Sequence, residues 1–412
     1  MAGPTPAHVA IDRIPGGVTT PLGFRTAAIA CGIKASGLDL ALLVADAPAS
    51  AAALFTTNLV KAAPVLLSQQ HLRSSRGVAR AIVVNSGCAN ACTGEQGLAV
   101  AQASAAEVAR LLECRSQEVL VASTGVIGVA LDIEKLRRGL ARLVPELRDD
   151  RHHDAALAIM TTDRGPKECA VRVTLPGGTF LVGGMAKGAG MIAPNMATML
   201  AFVTTDVRVP SSVLREALTD AARTTFNAIT VDGDTSTNDT LFVLASGASG
   251  QEVREVGDPT YPLFLEGLRE VCRALALEIV RGAEGATKVV SLEVSGAPSD
   301  EDARTVARVV ANSPLVKTAV HGGDPNWGRL LAAMGRAGVP FDPDRSRVAI
   351  GHVVMFDRGV PFDDRAQEAA AHLAGAEISV QLDLGGPGSG RATLYTCDLS
   401  AEYVRINADY RT

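Results

Sequence analysis

The sequence places one threonine, Thr198, where its hydroxyl could act as a nucleophile. It follows Ala197 near the end of the stretch 185–200, which reads MAKGAGMIAPNMATML and carries Lys187 as its single charge. Residues that break regular backbone structure interrupt this apolar stretch: Gly188, Gly190 and Pro194. Glycine and proline are poorly tolerated inside ordinary helices and strands. The pattern predicts a bent loop that leads Thr198 into a buried strand, although a plain glycine-rich core loop would have the same composition.

A threonine hydroxyl is a weak nucleophile and needs a base. If the peptide bond between Ala197 and Thr198 is cut, the new α-amine of Thr198 can be that base, because its unperturbed pKa lies near neutrality. The same hydroxyl can make the cut by attacking the carbonyl carbon of Ala197. Activation and catalysis would then use one atom, and no histidine would be required.

Acyl transfer also requires donors for the developing oxyanion. The run 118–125 reads as a strand that ends on Ser123, Thr124 and Gly125. These residues offer a hydroxyl next to an unhindered backbone N–H. A turn that merely ends the strand would use the same residues, so both interpretations stay open at this point.

Other catalytic patterns are absent from the sequence. It has no G-x-S-x-G elbow, no H-E-x-x-H and no Walker lysine loop. Adjacent residues of a helix face different ways, so His152 and His153 are better read as a solvated pair than as metal ligands. His321 lies in a turn-rich loop, HGGDPNWGR, and only Cys88 and Cys92 lie close together among the cysteines. We therefore expect no metal site and no bound cofactor.

The composition limits the class of protein. The chain has 412 residues, 47% hydrophobic and 20% charged, which is typical of a globular protein with two or three domains. The net charge of −5 and the 4% aromatic content argue against nucleic acid or an anionic membrane as the main partner. There is no signal-like apolar start, no run long enough to span a membrane, and an odd number of scattered cysteines. These features predict a cytoplasmic protein with reduced thiols.

The predicted elements alternate along the chain. Runs of β-branched residues predict strands at 81–87, 118–125, 240–246, 288–294, 347–356, 376–384 and 391–397. Helical periodicity predicts helices at 95–113, 132–144, 211–229, 261–280, 299–312 and 325–338. This order indicates an α/β or α+β fold, with late strands that alternate as half-exposed antiparallel strands do. The glycine-rich stretch 182–190 and the turn 281–287 are the best candidate boundaries.

Eight motifs in register resemble one enzyme family. Besides the stretch 185–200, they are VVNSGCANACTG (83–94), ASTGVIG (122–128), MTTDRGPK (160–167), ITVDGDTSTND (229–239), EGATK (284–288), HGGDPNWGR (321–329) and VRINADYRT (404–412). Together they resemble the ornithine acetyltransferases, bifunctional glutamate N-acetyltransferases of arginine biosynthesis. The resemblance runs from 22–24 to the last residue. Three departures are Cys88, where the family has an asparagine, Arg164, where a threonine is common, and RGA before EGATK, where Asp-Gly is usual.

The resemblance implies a layered α/β/β/α large domain followed by a smaller α/β domain at about 288–412. It implies self-cleavage into an α chain, 1–197, and a β chain, 198–412. The implied catalytic residues are Thr198 as nucleophile, Ala197 at the cleavage site, and Thr124 with Gly125 as the oxyanion hole. The implied substrate contacts are Thr162 (with Thr161 less favoured), Lys187, Thr198, Glu284, Asn407 and Thr412. Without the family, Lys187 and Glu284 would read as ordinary surface residues.

The implied reaction is a ping-pong transfer. Thr198 takes acetyl from N-acetylornithine, ornithine leaves, and glutamate collects the acetyl group. Acetyl-CoA as a second donor and an α₂β₂ heterotetramer would also fit the family, but the sequence shows no signature for either. A self-cleaving amidohydrolase or aminopeptidase is the alternative enzyme, and an uncleaved binding protein with the same fold is the third class.

Overall fold

The computed structural model describes residues 9–192 and 199–409. Within them the chain forms a mixed α/β fold with two β-sheets. The strands are β1 (Ala10–Ile14), β2 (Phe24–Ile29), β3 (Leu40–Phe55), β4 (Val78–Cys88), β5 (Val119–Val126), β6 (Lys167–Leu175), β7 (Gly178–Lys187), β8 (Leu200–Thr205), β9 (Thr240–Ala245), β10 (Val289–Ala297), β11 (Arg347–Ile350), β12 (Val353–Asp357), β13 (Val360–Pro361), β14 (Glu377–Asp383) and β15 (Gly390–Cys397). The helices are α1 (Ala63–Ser74), α2 (Gly94–Leu112), α3 (Ile133–Leu143), α4 (His152–Ala158), α5 (Ser211–Arg223), α6 (Tyr261–Arg281), α7 (Asp300–Ala311), α8 (Pro314–Gly322), α9 (Trp327–Gly335), α10 (Ala366–Leu373) and α11 (Ala401–Asp409).

Strand β3 joins two halves of the first sheet. The strand order is β1-β6-β7-β8-β9-β3-β4-β5, and β2 also pairs with β3. The first residues of β3 pair with β2 and β4, while its last residues pair with β9. The register with β4 shifts between Val44 and Ala49. Such an irregularity bends and twists a strand, which lets the two halves face each other.

Alternating side chains along the strands build the layers. Phe202 and Phe242 from one half share a buried cluster with Leu43 and Ile82 from the other half. The opposite faces are covered by helices: α5 and α6 pack on β6–β9, and α1–α3 pack on β2–β5. The layers therefore run helix, sheet, sheet, helix, which confirms the expected α/β/β/α sandwich.

A second sheet occupies the C-terminal part of the chain. Its order is β13-β12-β11-β14-β10-β15, with residues of α7, α8, α9 and α10 in its buried cluster. Most neighbours are antiparallel as expected, but β10 and β14 run parallel. That pair is separated in the chain by helices α7–α10, and parallel neighbours require such a crossover.

Two predicted elements differ from the structure. The helix predicted at 211–229 ends at Arg223, and a short 3₁₀ turn, Phe226–Ala228, follows. The Thr225 hydroxyl donates to the Ala221 carbonyl oxygen at 2.7 Å, and a hydroxyl bonded to the carbonyl four residues earlier slightly destabilises and often bends a helix. The run 347–356 is a hairpin of β11 and β12 rather than one strand, because Gly351 turns with φ of 60°.

Two further expectations concern the environment of the chain. None of the helices in the described part of the chain is long and apolar enough to cross a bilayer. All seven cysteines are free thiols, as expected from their odd number and scattered positions.

Candidate active site

Most of the residues singled out in the sequence line one cavity of about 220 Å³. The cavity brings together the end of β5, the loop after α4, the end of β7, the turn after α6 and helix α11. The expected site residues that line it are Thr124, Gly125, Thr162, Lys187, Glu284 and Asn407, together with the alternative Thr161. Ala197, Thr198 and Thr412 lie outside the described residues. The strand expected after Thr198 is present as β8, which is buried along its whole length.

The ends of β4 and β5 shape one side of the cavity. The two strands are parallel, with Ser86 opposite Thr124 and Gly87 opposite Gly125. Gly125 has φ of +129°, and a Cβ there would lie 2.3 Å from the carbonyl carbon of Gly87. Only glycine allows both this conformation and this close approach. The backbone of Gly125 is therefore exposed to the cavity without a side chain in front of it.

A buried amide network holds this strand end in place. The Ser123 hydroxyl donates to Asn85 Oδ1 at 2.6 Å, and Asn85 Nδ2 donates to the Cys88 carbonyl oxygen at 2.8 Å. Asn238 Nδ2 donates to the carbonyl oxygens of Ala89 and Ser123 at 2.7 and 2.8 Å. Buried networks in which each member is satisfied are rigid. The neighbouring Thr124 and Gly125 are thus held on a stiff frame, as an oxyanion hole requires.

Lys187 contacts the proposed oxyanion hole directly. Its Nζ donates to Thr124 Oγ1 at 3.2 Å. The lysine ends β7, where it pairs with Leu200, the first residue of β8. Burial lowers the pKa of Lys187, and the carboxylate of Asp163 opposes this shift. An ammonium and a threonine hydroxyl therefore lie side by side near the start of the strand that follows Thr198.

Removal of the Thr124 hydroxyl tests its role in acyl transfer. Thr124→Ala is expected to lower kcat about 10²-fold if the hydroxyl stabilises the oxyanion, with an unchanged melting temperature. Steady-state rates and thermal unfolding measure the two effects, with the exposed Thr219→Ala as control. A wild-type rate for Thr124→Ala would leave oxyanion stabilisation to backbone groups alone.

Asp163 organises the loop beneath the cavity. Its side chain has no exposed area, and Oδ1 accepts from Lys167 Nζ at 2.6 Å and from the Gly188 N–H at 2.7 Å. Oδ2 accepts from the Thr161 N–H at 3.1 Å. Burial raises the pKa of this carboxyl, but Lys187 and Lys167 outweigh it and hold the pKa below its ordinary value. One carboxylate thus fixes two backbone segments, the loop at Thr161 and the residue directly after Lys187.

Neutralising this carboxylate should weaken the fold in a pH-dependent way. Asp163→Asn leaves buried lysines without their counter-charge, and losing one partner of a buried ion pair costs about 3 kcal/mol or more. The folded pKa is depressed, so the stabilisation is present above the unfolded pKa and is lost as pH falls through the folded pKa. We expect a large gap in unfolding free energy between wild type and variant at neutral pH that narrows below about pH 4. Urea unfolding at both pH values, with exposed Asp150→Asn as control, measures the gap, and a pH-independent gap would contradict this account.

Glu284 collects side chains from distant parts of the chain. It is 7% exposed, its Oε1 accepts from the Thr162 hydroxyl at 2.6 Å, and its Oε2 accepts from Asn407 Nδ2 at 2.8 Å. Its backbone N–H donates to the Ala189 carbonyl oxygen at 2.9 Å. A Cβ at Gly190 would lie 2.3 Å from Glu284 Oε2, so this glycine gives the carboxylate its space. Of the two adjacent threonines, Thr162 is the one whose hydroxyl reaches Glu284.

Helix α11 lines the cavity with two residues one turn apart, Tyr403 and Asn407. Besides Asn407, Tyr403 lines the cavity and donates its hydroxyl to Asp232 Oδ2 at 3.3 Å. Asp232 also accepts from the N–H groups of Met191 and Ile192 at 2.6 and 2.8 Å. Burial raises the pKa of Asp232, and burial together with Asp232 raises the pKa of Tyr403. The last described helix thus takes part in the site instead of fraying, as chain ends usually do.

Some lining residues were not expected from the sequence. Asp232, Asp234, Ser236 and Asn238 all lie in the motif 229–239, and Ile127, Gly190, Met191 and Tyr403 complete the set. The dense polar run DGDTSTND was a usable signal, but it did not indicate which side chains would face the cavity. Among the lining residues that the structure describes, Glu284, Asp232 and Asp234 carry carboxylates and Lys187 carries an ammonium.

The remaining candidates lie elsewhere and have structural partners. His152 and His153 bind opposite oxygens of Glu168 through Nδ1, at 2.5 and 2.7 Å, so they are a carboxylate-bound pair rather than merely solvated. His321 Nδ1 contacts the buried Asp398 at 2.7 Å. Cys88 is buried, which raises the pKa of its thiol, and Arg164 is exposed. Within residues 9–192 and 199–409, no group of three or more His, Cys, Asp or Glu is placed to hold a metal ion.

Known proteins extend the resemblance along the whole chain. The ArgJ family model matches residues 25–412. The chain belongs to the ArgJ family. Members of the ArgJ family include the arginine biosynthesis bifunctional protein ArgJ of Dehalococcoides mccartyi (strain CBDB1), which is 49% identical over 407 residues, 98% of this chain and 99% of that protein. The ArgJ of Geobacter sulfurreducens is 50% identical over 392 residues, 95% of this chain and 99% of that protein.

Solved ArgJ structures match parts of the chain. The arginine biosynthesis bifunctional protein of Bacillus halodurans is 40% identical with a TM-score of 0.50, and it covers 52% of this chain and 100% of its own. The ornithine acetyltransferase of Mycobacterium tuberculosis, solved with ornithine, is 47% identical with a TM-score of 0.42, and it covers 45% of this chain and 99% of its own. As a member of the ArgJ family, the chain is an acyltransferase of arginine biosynthesis.

Proposed function

We propose that this protein transfers the acetyl group of N-acetylornithine to glutamate through an acetyl ester on Thr198. The charge pattern of the cavity is the main support. One ammonium, Lys187, suits the substrate α-carboxylate, and Glu284 with Asp232 and Asp234 suits a substrate that carries an ammonium group. N-acetylornithine has both charges. Few other N-acetyl amino acids would use this arrangement as fully.

The proposed sequence of steps uses the groups around the cavity. The Thr198 hydroxyl attacks the acetyl carbonyl carbon while its α-amine takes the proton. The Thr124 hydroxyl and Gly125 N–H stabilise the oxyanion, and the intermediate collapses with release of ornithine, whose α-nitrogen receives the proton. The amine of glutamate then attacks the acetyl ester, and the Thr198 hydroxyl is restored. Thr162, Asn407 and Thr412 position the substrate, with Thr162 and Asn407 acting through Glu284.

Self-cleavage between Ala197 and Thr198 is part of the proposal. It yields an α chain, 1–197, and a β chain, 198–412, with residues from about 288 forming the smaller C-terminal domain. The Bacillus halodurans chain is matched along its full length yet covers 52% of this chain, the share that one product of such a cut would have. We further propose an α₂β₂ heterotetramer in the cytoplasm, no bound cofactor, and acetyl-CoA as a second acetyl donor.

A substrate pair tests the proposed ammonium site. Glu284→Gln is expected to raise KM for N-acetylornithine about 10- to 100-fold, because hydrogen bonds to charged groups contribute about 1.5–3 kcal/mol. The substitution should change KM little for N-acetylnorvaline, because this substrate lacks the terminal ammonium. Product analysis of the released amino acid (ornithine or norvaline) and of N-acetylglutamate measures both, with the exposed Glu402→Gln as control.

One result would contradict the role of Glu284, and another would contradict the proposed activity. An equal rise in KM for both substrates would show that Glu284 does not bind the substrate ammonium. Release of acetate without N-acetylglutamate from the wild-type enzyme would indicate the hydrolase instead. Measuring N-acetylglutamate after acetyl-CoA and N-acetylornithine are each supplied separately with glutamate decides which of them is an acetyl donor.

A further inference from the structure

A second cavity, of about 780 Å³, shares no lining residue with the candidate active site. Five separate segments of the chain form it: the end of α5 with the turn after it, helix α7, and strands β10, β14 and β15. Its volume lies within the range of about 300–1,000 Å³ that is usual for small-molecule sites. No step of the proposed acetyl transfer uses it.

The charged residues of this cavity are mostly arginines. Its lining contains Arg223, Arg304, Arg308 and Arg391, with Glu293 and Asp300 as the carboxylates. The whole chain carries a net charge of −5, so an excess of positive charge at one cavity runs against the overall balance. Cavities lined by one sign of charge attract ligands of the opposite sign.

Two of the guanidinium groups have no partner within the described part of the chain. Arg308 and Arg391 make no side-chain hydrogen bond or ion pair there, whereas Arg304 donates to Glu301 at 2.9 Å and Arg223 to Asp220 at 3.4 Å. Asp300 is already engaged, since its Oδ1 accepts from the Arg391 backbone N–H at 3.0 Å. The carboxylates of the lining therefore leave Arg308 and Arg391 available to a ligand.

The arrangement of these groups suits a phosphate ester. Residues 300, 304 and 308 are four apart on α7 and thus share one helix face, which sets two arginines in a row. Arginine binds phosphate through two parallel N–H donors. The half-buried Tyr395 adds an aromatic ring to the lining, and the exposed Glu293 adds an acceptor for a sugar hydroxyl. We propose that this cavity binds a phosphate-bearing ligand of nucleotide size.

ADP is the probe for this site. Isothermal titration of the full-length protein with ADP should show one saturable site per chain, with an affinity that falls as salt rises. The double variant Arg308→Gln, Arg391→Gln should bind about 100-fold more weakly, because each lost guanidinium–phosphate contact costs about tenfold. Both side chains lack partners, so the fold should be unaffected, and thermal unfolding checks this.

A matched pair of substitutions controls for net charge. Arg138→Gln, Arg142→Gln removes two exposed charges from α3, away from both cavities, and should bind ADP as the wild type does. Inorganic pyrophosphate should compete with ADP, and adenosine should not.

Absence of ADP binding by the wild type, or equal weakening in both double variants, would overturn the proposal. So would a changed oligomeric state in the cavity variant, since the arginines would then belong to an interface between copies. Acetyl transfer is not the readout, so failure here would leave the proposed function standing.

Discussion

Replacement of Thr198 by alanine is expected to leave one full-length chain and to abolish acetyl transfer. The variant lacks the hydroxyl that would attack both the Ala197 carbonyl and the substrate. Loss of a nucleophile that acts within a catalytic unit costs about 10⁴- to 10⁶-fold in kcat. Intact-mass measurement of the purified protein reports cleavage, and a product assay reports turnover. No other single substitution should affect both measurements so strongly.

The conservative variant separates chemistry from folding. Thr198→Ser retains a hydroxyl and, once cleaved, an α-amine, so it should keep part of both activities. Fragments that begin at residue 198 in the Thr198→Ala protein would rule out self-processing by this hydroxyl. A wild-type protein that stays full length would point instead to the uncleaved binding protein.

Replacement of Lys187 by methionine should lower kcat/KM about 10³-fold. Methionine keeps the apolar stem but removes the ammonium that lies 3.2 Å from Thr124 Oγ1 and opposes the charge of Asp163. Removing one partner of a buried charge contact costs about 2–5 kcal/mol. Steady-state kinetics with N-acetylornithine measure the loss. The half-buried Lys61→Met, which lines neither cavity, is the control.

A substrate without a carboxylate gives the decisive comparison for Lys187. N-acetylputrescine has the chain and terminal amine of N-acetylornithine but no α-carboxylate. If Lys187 binds that carboxylate, the wild type should use N-acetylputrescine poorly and Lys187→Met should reduce this rate little further. An equal loss on both substrates would mean that the lysine acts mainly by supporting Thr124.

Local pattern was enough for the elements with strong periodicity. Helix α3 was predicted at 132–144 and spans Ile133–Leu143, because Asp132 caps it by accepting from the N–H groups of Glu134 and Lys135. The strands predicted at 118–125 and 240–246 likewise match β5 and β9 to within one residue at each end. By contrast, β3, the longest strand, was not predicted. Its sequence LALLVADAPASAAALF contains a proline and a run of small residues with low strand preference, so cross-strand pairing with β2, β4 and β9 decides its structure.

By itself, the sequence determined the candidate nucleophile, the strand end at Thr124 and Gly125, and the family. These depend on residue type and short spacing, which a linear pattern carries. Only the tertiary structure decided what Glu284 and Asp163 do. Glu284 contacts Thr162 and Asn407 from 122 and 123 residues away, and Asp163 accepts from the backbone N–H of Gly188, 25 residues away beyond strands β6 and β7. A charged residue looks the same in sequence whether it is solvated or buried, because its role depends on which distant groups the fold places against it.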